Sequence, residues 1–250
     1  MDPILLRPRK ATEIVDASIE VYRRNPTHFM LVTAAVQAPW LVLQLILFGN
    51  ARPGIDQLGT SALLGLGTLV SQQFAATVVV QMASDLYLGR DTDVLSALKK
   101  VAPRLIRAFI ASIFQGIVII FGLMLFLFPA VYFTALYFGV IPLIVLENQS
   151  ISGAFNRSAQ LSRDLKLHIV GAIGIIIAIR YAVSIGVIVL ASLTGQPIVQ
   201  QVAASLVAVV VNPLTGIVEA LIYYDVRIRR EGFDIEMMAG EGSSSRVALA

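Results

Sequence analysis

One basic residue stands where charge is expensive. Arg180 lies about twelve residues into a long apolar stretch, 168–193, roughly 18 Å from its nearer end at 1.5 Å per helical residue. If that stretch crosses a bilayer, a charge at mid-depth costs ~2.5–3.5 kcal/mol even on a lenient insertion scale, so the side chain is expected to face the protein interior. Depth selects its neighbours. Asn212 sits about twelve residues from the inner end of the next, antiparallel stretch, hence at the same level. Glu219 lies roughly 10 Å shallower, a gap that a snorkelling arginine partly closes. An Arg180–Asn212–Glu219 cluster is therefore expected between the last two stretches, with Gln72, Gln73 or Gln115 as further members. Asn212-Pro213 is expected to interrupt its helix and free a backbone carbonyl, as often happens at transport sites. Such a cluster is either a buried polar clamp that fixes helix register, the commoner outcome, or a ligand or ion site.

Few other residues invite chemistry. The chain has no cysteine, which removes thiolate nucleophiles, disulfides and sulfur-ligated metals. His28 and His168 fall at the margins of apolar stretches and read as interfacial anchors, not metal ligands. Gly65-Leu66-Gly67-Thr68 is followed by no lysine, so it is no phosphate loop. It reads as a close-packing site, as does Gly171-Ala172-Ile173-Gly174. No carboxylate pair and no nucleophile–base pair stands at a suggestive spacing. The expectation is a non-enzyme without catalytic residues, cofactor or metal.

The elements that hold Arg180 follow from composition. Of the 250 residues, 57% are hydrophobic and 14% charged, against about 25% charged in a soluble domain; mean hydropathy is +0.80. Six apolar stretches, at about 29–49, 61–88, 106–128, 130–146, 168–193 and 198–224, each approach the ~20 residues that cross ~30 Å of hydrocarbon, the fourth being short. Backbone groups in lipid must be satisfied within the segment, so the fold expected is an all-α polytopic bundle. A β-barrel would need short alternating strands instead.

Charge orients the bundle. All but two of the 19 basic residues lie in four polar segments. Arg7, Arg9, Lys10, Arg23 and Arg24 precede the first span; Arg90, Lys99, Lys100, Arg104 and Arg107 lie around the join of the second and third. Arg157, Arg163 and Lys166 separate the fourth and fifth, and Arg227, Arg229, Arg230 and Arg246 follow the sixth. Only Arg52 lies on the other side. The positive-inside rule puts both termini in the cytoplasm. Residues 1–27 hold no apolar run long enough for a cleaved signal, so the first span is expected to serve as an uncleaved anchor. The outward loops are tiny: about 50–60, a turn at Phe128-Pro129, and 194–197. Residues 1–239 form one membrane domain, and the Gly/Ser-rich tail 240–250 reads as disordered.

Three inward segments are amphipathic: 12–24, 93–107 and 152–164. Asp93 and Ser152 are expected as N-caps, and Pro103 is expected to split the second segment. We expect these segments to lie in the interface as elbows, each preceding one helical hairpin, so that six spans group into three units. Ala97–Ala102 aligns with Ala154–Ala159, a trace of repetition. Lys99, Lys100, Arg104 and Arg157 are the candidate contacts to anionic headgroups of the inner leaflet. Glu147 is expected to pair with Arg157 or Arg163, and Asp225 with Arg227 or Arg229, as surface pairs worth under ~1 kcal/mol.

Two segments carry a family resemblance. Ile141-Pro142-Leu143-Ile144-Val145-Leu146-Glu147 with Ala154-Phe155-Asn156-Arg157-Ser158-Ala159-Gln160-Leu161 is the first, and Tyr223-Tyr224-Asp225-Val226-Arg227-Ile228-Arg229-Arg230-Glu231-Gly232-Phe233-Asp234 the second. Both resemble the six-span membrane domain attached to some bacterial glycerophosphoryl diester phosphodiesterases, and its stand-alone relatives. The resemblance runs from about Arg7 to Glu236, with Asn148 where glycine is usual and Ala159 where an aromatic residue is frequent. It implies a fold and a location, the inner membrane of a bacterial cell. The diesterase chemistry of that family belongs to a separate soluble barrel, for which this chain has no room. The first functional expectation is thus a non-catalytic scaffold or lipid-contacting module, and the alternative a small-solute or lipid permease component built on Arg180. Membrane lipids are the expected partners, with a protein partner or homo-oligomer left open and no nucleic acid required.

Overall fold

The computed structural model describes residues 7–48 and 58–233; the tail 240–250 and most of the first outward loop lie outside them. The described residues form helices and no strands: α1 (Ala11–Arg24), α2 (Pro26–Phe48), α3 (Leu58–Tyr87), α4 (Val94–Val101), α5 (Leu105–Leu125), α6 (Leu127–Leu136), α7 (Val140–Leu146), α8 (Ile151–Leu161), α9 (Lys166–Ser192) and α10 (Pro197–Glu231). Six candidate spans result from α2, α3, α4 with α5, α6 with α7, α9 and α10. Their outward faces expose large apolar side chains in series, among them Ile117, Phe121 and Met124 on α5 and Ile185 and Leu190 on α9. A continuous apolar exposure of this kind calls for lipid, not water.

Helix α10 is the organising element. It packs against α1, α2, α3 and α9, and its residues Gly216–Val226 are buried apart from Glu219. Gly216 sets its distance from α3: a Cβ there would stand 2.9 Å from Val79 Cγ1 and 3.3 Å from the Ala76 carbonyl. The helix runs through Pro213 to Glu231, past the expected end at 224, and stops at Gly232, whose φ of +65° suits a left-handed cap. Pro213 therefore removes one backbone donor without ending the helix. Lining the other side of the core, α7 buries all of Val140–Val145.

The fourth span departs from its expected form. It is two helices separated at Tyr137–Gly139, because Pro142 has no N–H to bond the carbonyl of residue 138. Side chains from neighbouring helices satisfy the opened backbone. Ser158 Oγ of α8 donates to the Leu136 carbonyl (2.9 Å) and accepts from Gly139 N–H (3.2 Å), while Gln115 Nε2 of α5 donates to the Tyr137 carbonyl (3.0 Å). Irregular backbone at such depth survives only when neighbouring groups re-satisfy it. Ser158→Ala is expected to orphan the buried Gly139 N–H, leave the Leu136 carbonyl only its longer bond from Ser162, and lower stability by ~1–3 kcal/mol. A thermal midpoint in detergent equal to that of wild type would contradict that role.

Other local expectations resolve residue by residue. Asp93 Oδ1 caps α4 by accepting from Ser96 N–H at 3.0 Å. A 3-10 turn over Ala102–Arg104 holds Pro103 and divides α4 from α5. The cap of α8 is Ser150, whose Oγ accepts from Gly153 N–H at 3.1 Å, and not Ser152. The α5–α6 turn is Phe126, two residues before the expected site, with Gly122 against the Ala130 backbone. Gly67 packs directly under the Trp40 ring, and Gly171 faces Ala11. Both α1 and α8 are docked: α1 buries Ile14, Val15, Ala17, Ser18 and Val21, largely against α9 and α10.

Candidate functional site

A cavity of about 200 Å³ opens among α3, α9 and α10, lined by Gln72, Gln73, Arg180, Asn212, Thr215 and Glu219. A second cavity of about 150 Å³ adjoins it, sharing Gln72, Arg180 and Asn212 and reaching Ser184 and Ala204. Arg180 thus stands at the junction of two cavities. It is half-buried and makes no hydrogen bond or ion pair with another described residue; its guanidinium lies 5.1 Å from the centroid of the neighbouring Tyr181 ring. Asn212, Glu219, Gln72 and Gln73 side chains likewise form no hydrogen bond among the described residues. Gln115 is elsewhere, held at Tyr137.

Spacing explains why α10 and α3 supply these groups. Asn212, Thr215, Glu219, Tyr223 and Arg227 recur at three- and four-residue intervals, which puts them on one stripe of α10. On α3, Gln73, Thr77, Gln81 and Ser84 do the same. Since α3 and α10 pack together, the polar groups run from the Arg180 level to the basic end of the bundle.

That end is ionic and largely enclosed. Asp225, 2% exposed, receives Arg9 N–H (2.6 Å), Arg229 Nε (2.8 Å) and His168 Nε2 (2.8 Å). Arg229 also donates to the Arg9 carbonyl at 2.5 Å, so the N-terminal segment and the end of α10 are tied at one end of the bundle. Glu147 receives Arg157 Nη2 (3.0 Å) and the Tyr223 hydroxyl (2.9 Å), and Arg157 reaches on to Glu231 (3.0 Å). Asp85, 1% exposed, receives Lys100 Nζ at 2.8 Å. These are not the surface pairs expected from sequence. Asp225 and Glu147 are covered by α1, α8 and the Tyr223 ring, and His168 is a hydrogen-bond partner of Asp225 as well as a margin residue. Arg227 turns from Asp225 to Glu231 (2.9 Å) and over the Phe233 ring (4.4 Å).

The expected headgroup contacts separate. Lys100 faces Asp85, Arg104 donates to the Val145 carbonyl, and Arg157 bridges Glu147 and Glu231. Lys99 alone of the four points outward, beside exposed Leu95 and Leu98. Asp85 escaped the sequence reading, although it is the one carboxylate within the second apolar stretch, and that was signal enough.

Burial alone would push the Glu147 carboxyl up, but the Arg157 and Tyr223 hydrogen bonds outweigh it and hold it below its ordinary value of 4.5. Glu147 in turn keeps the Arg157 guanidinium more firmly protonated. A carboxylate with a depressed folded pKa contributes stability present above the unfolded value and lost as pH falls through the folded one. Thermal midpoints are therefore expected to fall on acidification below about 4.5, and the fall should be shallower in Glu147→Gln. An identical acid limb in the variant would exclude Glu147 as a contributor.

The chain matches no protein-family model, no curated protein and no solved structure.

Proposed function

We propose that this chain is a non-catalytic, intramembrane solute-binding protein of the permease type, taking a small solute with an anionic group between α3, α9 and α10. The observation that supports this is Arg180: a permanent charge inside a span, at the junction of two cavities, without a bond to any described residue. A register clamp would close that guanidinium onto Asn212 or Glu219, because only hydrogen bonding offsets its desolvation. Amide, hydroxyl and carboxyl groups around it supply the convergent polar set of a binding site. The same proposal includes the basic end facing the cytoplasm of a bacterial cell, α1, α4 and α8 in contact with an anionic inner leaflet, and the grouping of spans into three hairpins. Kinship with the six-span phosphodiesterase-associated domain fits it, since the resembling stretches contain Glu147, Arg157, Asp225 and Arg229, which build the ionic end and no active site.

Cysteine labelling tests it on this cysteine-free background. Asn212→Cys and Gln115→Cys should differ: a water-soluble, negatively charged methanethiosulfonate should modify the first and spare the second. No modification at position 212 from either side of sealed vesicles would end the permease reading.

A further inference from the structure

A separate cavity of about 390 Å³ lies at the basic end, sharing no residue with the Arg180 cavities. Arg90, Lys100, Arg104 and Arg227 line it with two carboxylates, Asp85 and Glu147. Arg227 is paired with Glu231, so Arg90, Lys100 and Arg104 supply the excess of positive charge over Asp85 in a partly enclosed space. Glu147 is committed to Arg157 and Tyr223, so it neutralises little of that excess. The Arg90 side chain is mostly exposed and makes no hydrogen bond; one of its nitrogens stands 4.0 Å from Asp85 Oδ1. Lys100 commits one of three donors to Asp85 Oδ2. Arg104 commits one nitrogen to the Val145 carbonyl and has others to offer. Free guanidinium and ammonium donors converging on one space are the usual recognition chemistry of a phosphate.

The second observation concerns Asp85. Its Oδ2 accepts from Lys100 (2.8 Å) and Gln81 (3.3 Å), while its Oδ1, fully enclosed, accepts from no described residue. A buried carboxylate oxygen without a donor costs about 1–3 kcal/mol or more, so a ligand that supplies a donor there is favoured. The ligand must then combine a phosphate with a strong hydrogen-bond donor a few bonds away. We infer that this cavity binds a phosphoethanolamine group: the phosphodiester against Arg90, Lys100 and Arg104, the primary ammonium against Asp85. Tyr223, Tyr224 and Phe233 give the site an apolar wall, and its place at the end of the spans is where lipid headgroups lie. The group comes from phosphatidylethanolamine or from a soluble phosphoethanolamine ester, which share this chemistry.

Native mass spectrometry of the full chain in detergent decides, with dioctanoyl phosphatidylethanolamine, phosphatidylcholine and phosphatidylglycerol, soluble phosphoethanolamine and inorganic phosphate as probes. Choline keeps the phosphodiester but has no donor, so phosphatidylethanolamine should be held about tenfold more tightly. Arg90→Gln changes an exposed side chain and should weaken that binding about fivefold. Asp85→Asn should bring the ethanolamine-to-choline ratio to about one. Stronger retention of the lipid identifies a lipid headgroup and stronger retention of the soluble ester a soluble ligand; either supports the site. Choline or glycerol lipid, or phosphate alone, bound as tightly as the ethanolamine forms overturns it, as does unchanged binding in Arg90→Gln, which is expected to fold even if Asp85→Asn does not.

Discussion

Asp225→Ala is expected to destabilise the detergent-solubilised chain by about 3–5 kcal/mol, the largest single-residue effect in the bundle. Three elements meet on this carboxylate: the backbone of Arg9 ahead of α1, His168 on α9, and Arg229 one turn along α10. Its side chain is 2% exposed, so water does not replace it when it is removed. Truncation leaves the Arg9 N–H, one guanidinium face and one imidazole nitrogen without their acceptor, and the cost is that of uncompensated groups, not of one lost bond. Asp225→Asn keeps the shape and one acceptor oxygen and should cost less. Thermal midpoints of the two variants beside Asp91→Ala, an exposed control, make the comparison. A loss below about 0.5 kcal/mol in Asp225→Ala would show that the enclosure described here does not hold in solution.

The spans were legible because lipid leaves a helix no alternative: each apolar run must satisfy its own backbone, so run length alone locates it. What run length does not carry is the direction of side chains and the help one helix gives another. The break at Tyr137–Gly139 depends on Pro142, visible in sequence, but also on Ser158 and Gln115, which come from two other helices. The ion pairs at 147 and 225 fall at span margins in sequence, where water is assumed. The covering by α1 and α8 that makes them buried is tertiary. A pattern does emerge in hindsight. The second, fourth and sixth spans each end near one carboxylate, Asp85, Glu147 and Asp225, and each is paired with a cation further along the chain. Lys100 and Arg157 hold corresponding places in the two aligned segments, 97–102 and 154–159, and aligned Ala97 and Ala154, Val101 and Ser158 are all fully buried. The sequence match, short in letters, is thus accompanied by full burial at these two aligned pairs and by the same pairing of a cation with a span-end carboxylate. Depth arithmetic was enough to bring Arg180 and Asn212 to one level, because both helices rise 1.5 Å per residue. It did not choose among the three glutamines offered as further members: Gln72 and Gln73 of α3 line that cavity, while Gln115 bonds the Tyr137 carbonyl.

Arg180→Met separates clamp from site by the sign of the stability change. A charge inside a span costs ~2.5–3.5 kcal/mol unless something offsets it. In a clamp the offset comes from protein partners, so the apolar substitution would leave Asn212 or Glu219 unpaired and lower the thermal midpoint. Arg180 here bonds to no described residue, and methionine is apolar and adaptable enough to fill the same space. The variant is therefore expected to be as stable as wild type or more so, by ~1–3 kcal/mol. The electrostatic readout moves the other way. With cysteine at position 212, a negatively charged methanethiosulfonate should react faster than a positively charged one while Arg180 is present. That preference should shrink about tenfold in Arg180→Met, the equivalent of about 1.4 kcal/mol of local potential. Stability maintained with the charge preference lost is the signature of a site held open for an anion. A destabilised variant, or an unchanged reagent preference, would return Arg180 to a structural role and leave the cavities around it without a ligand to explain.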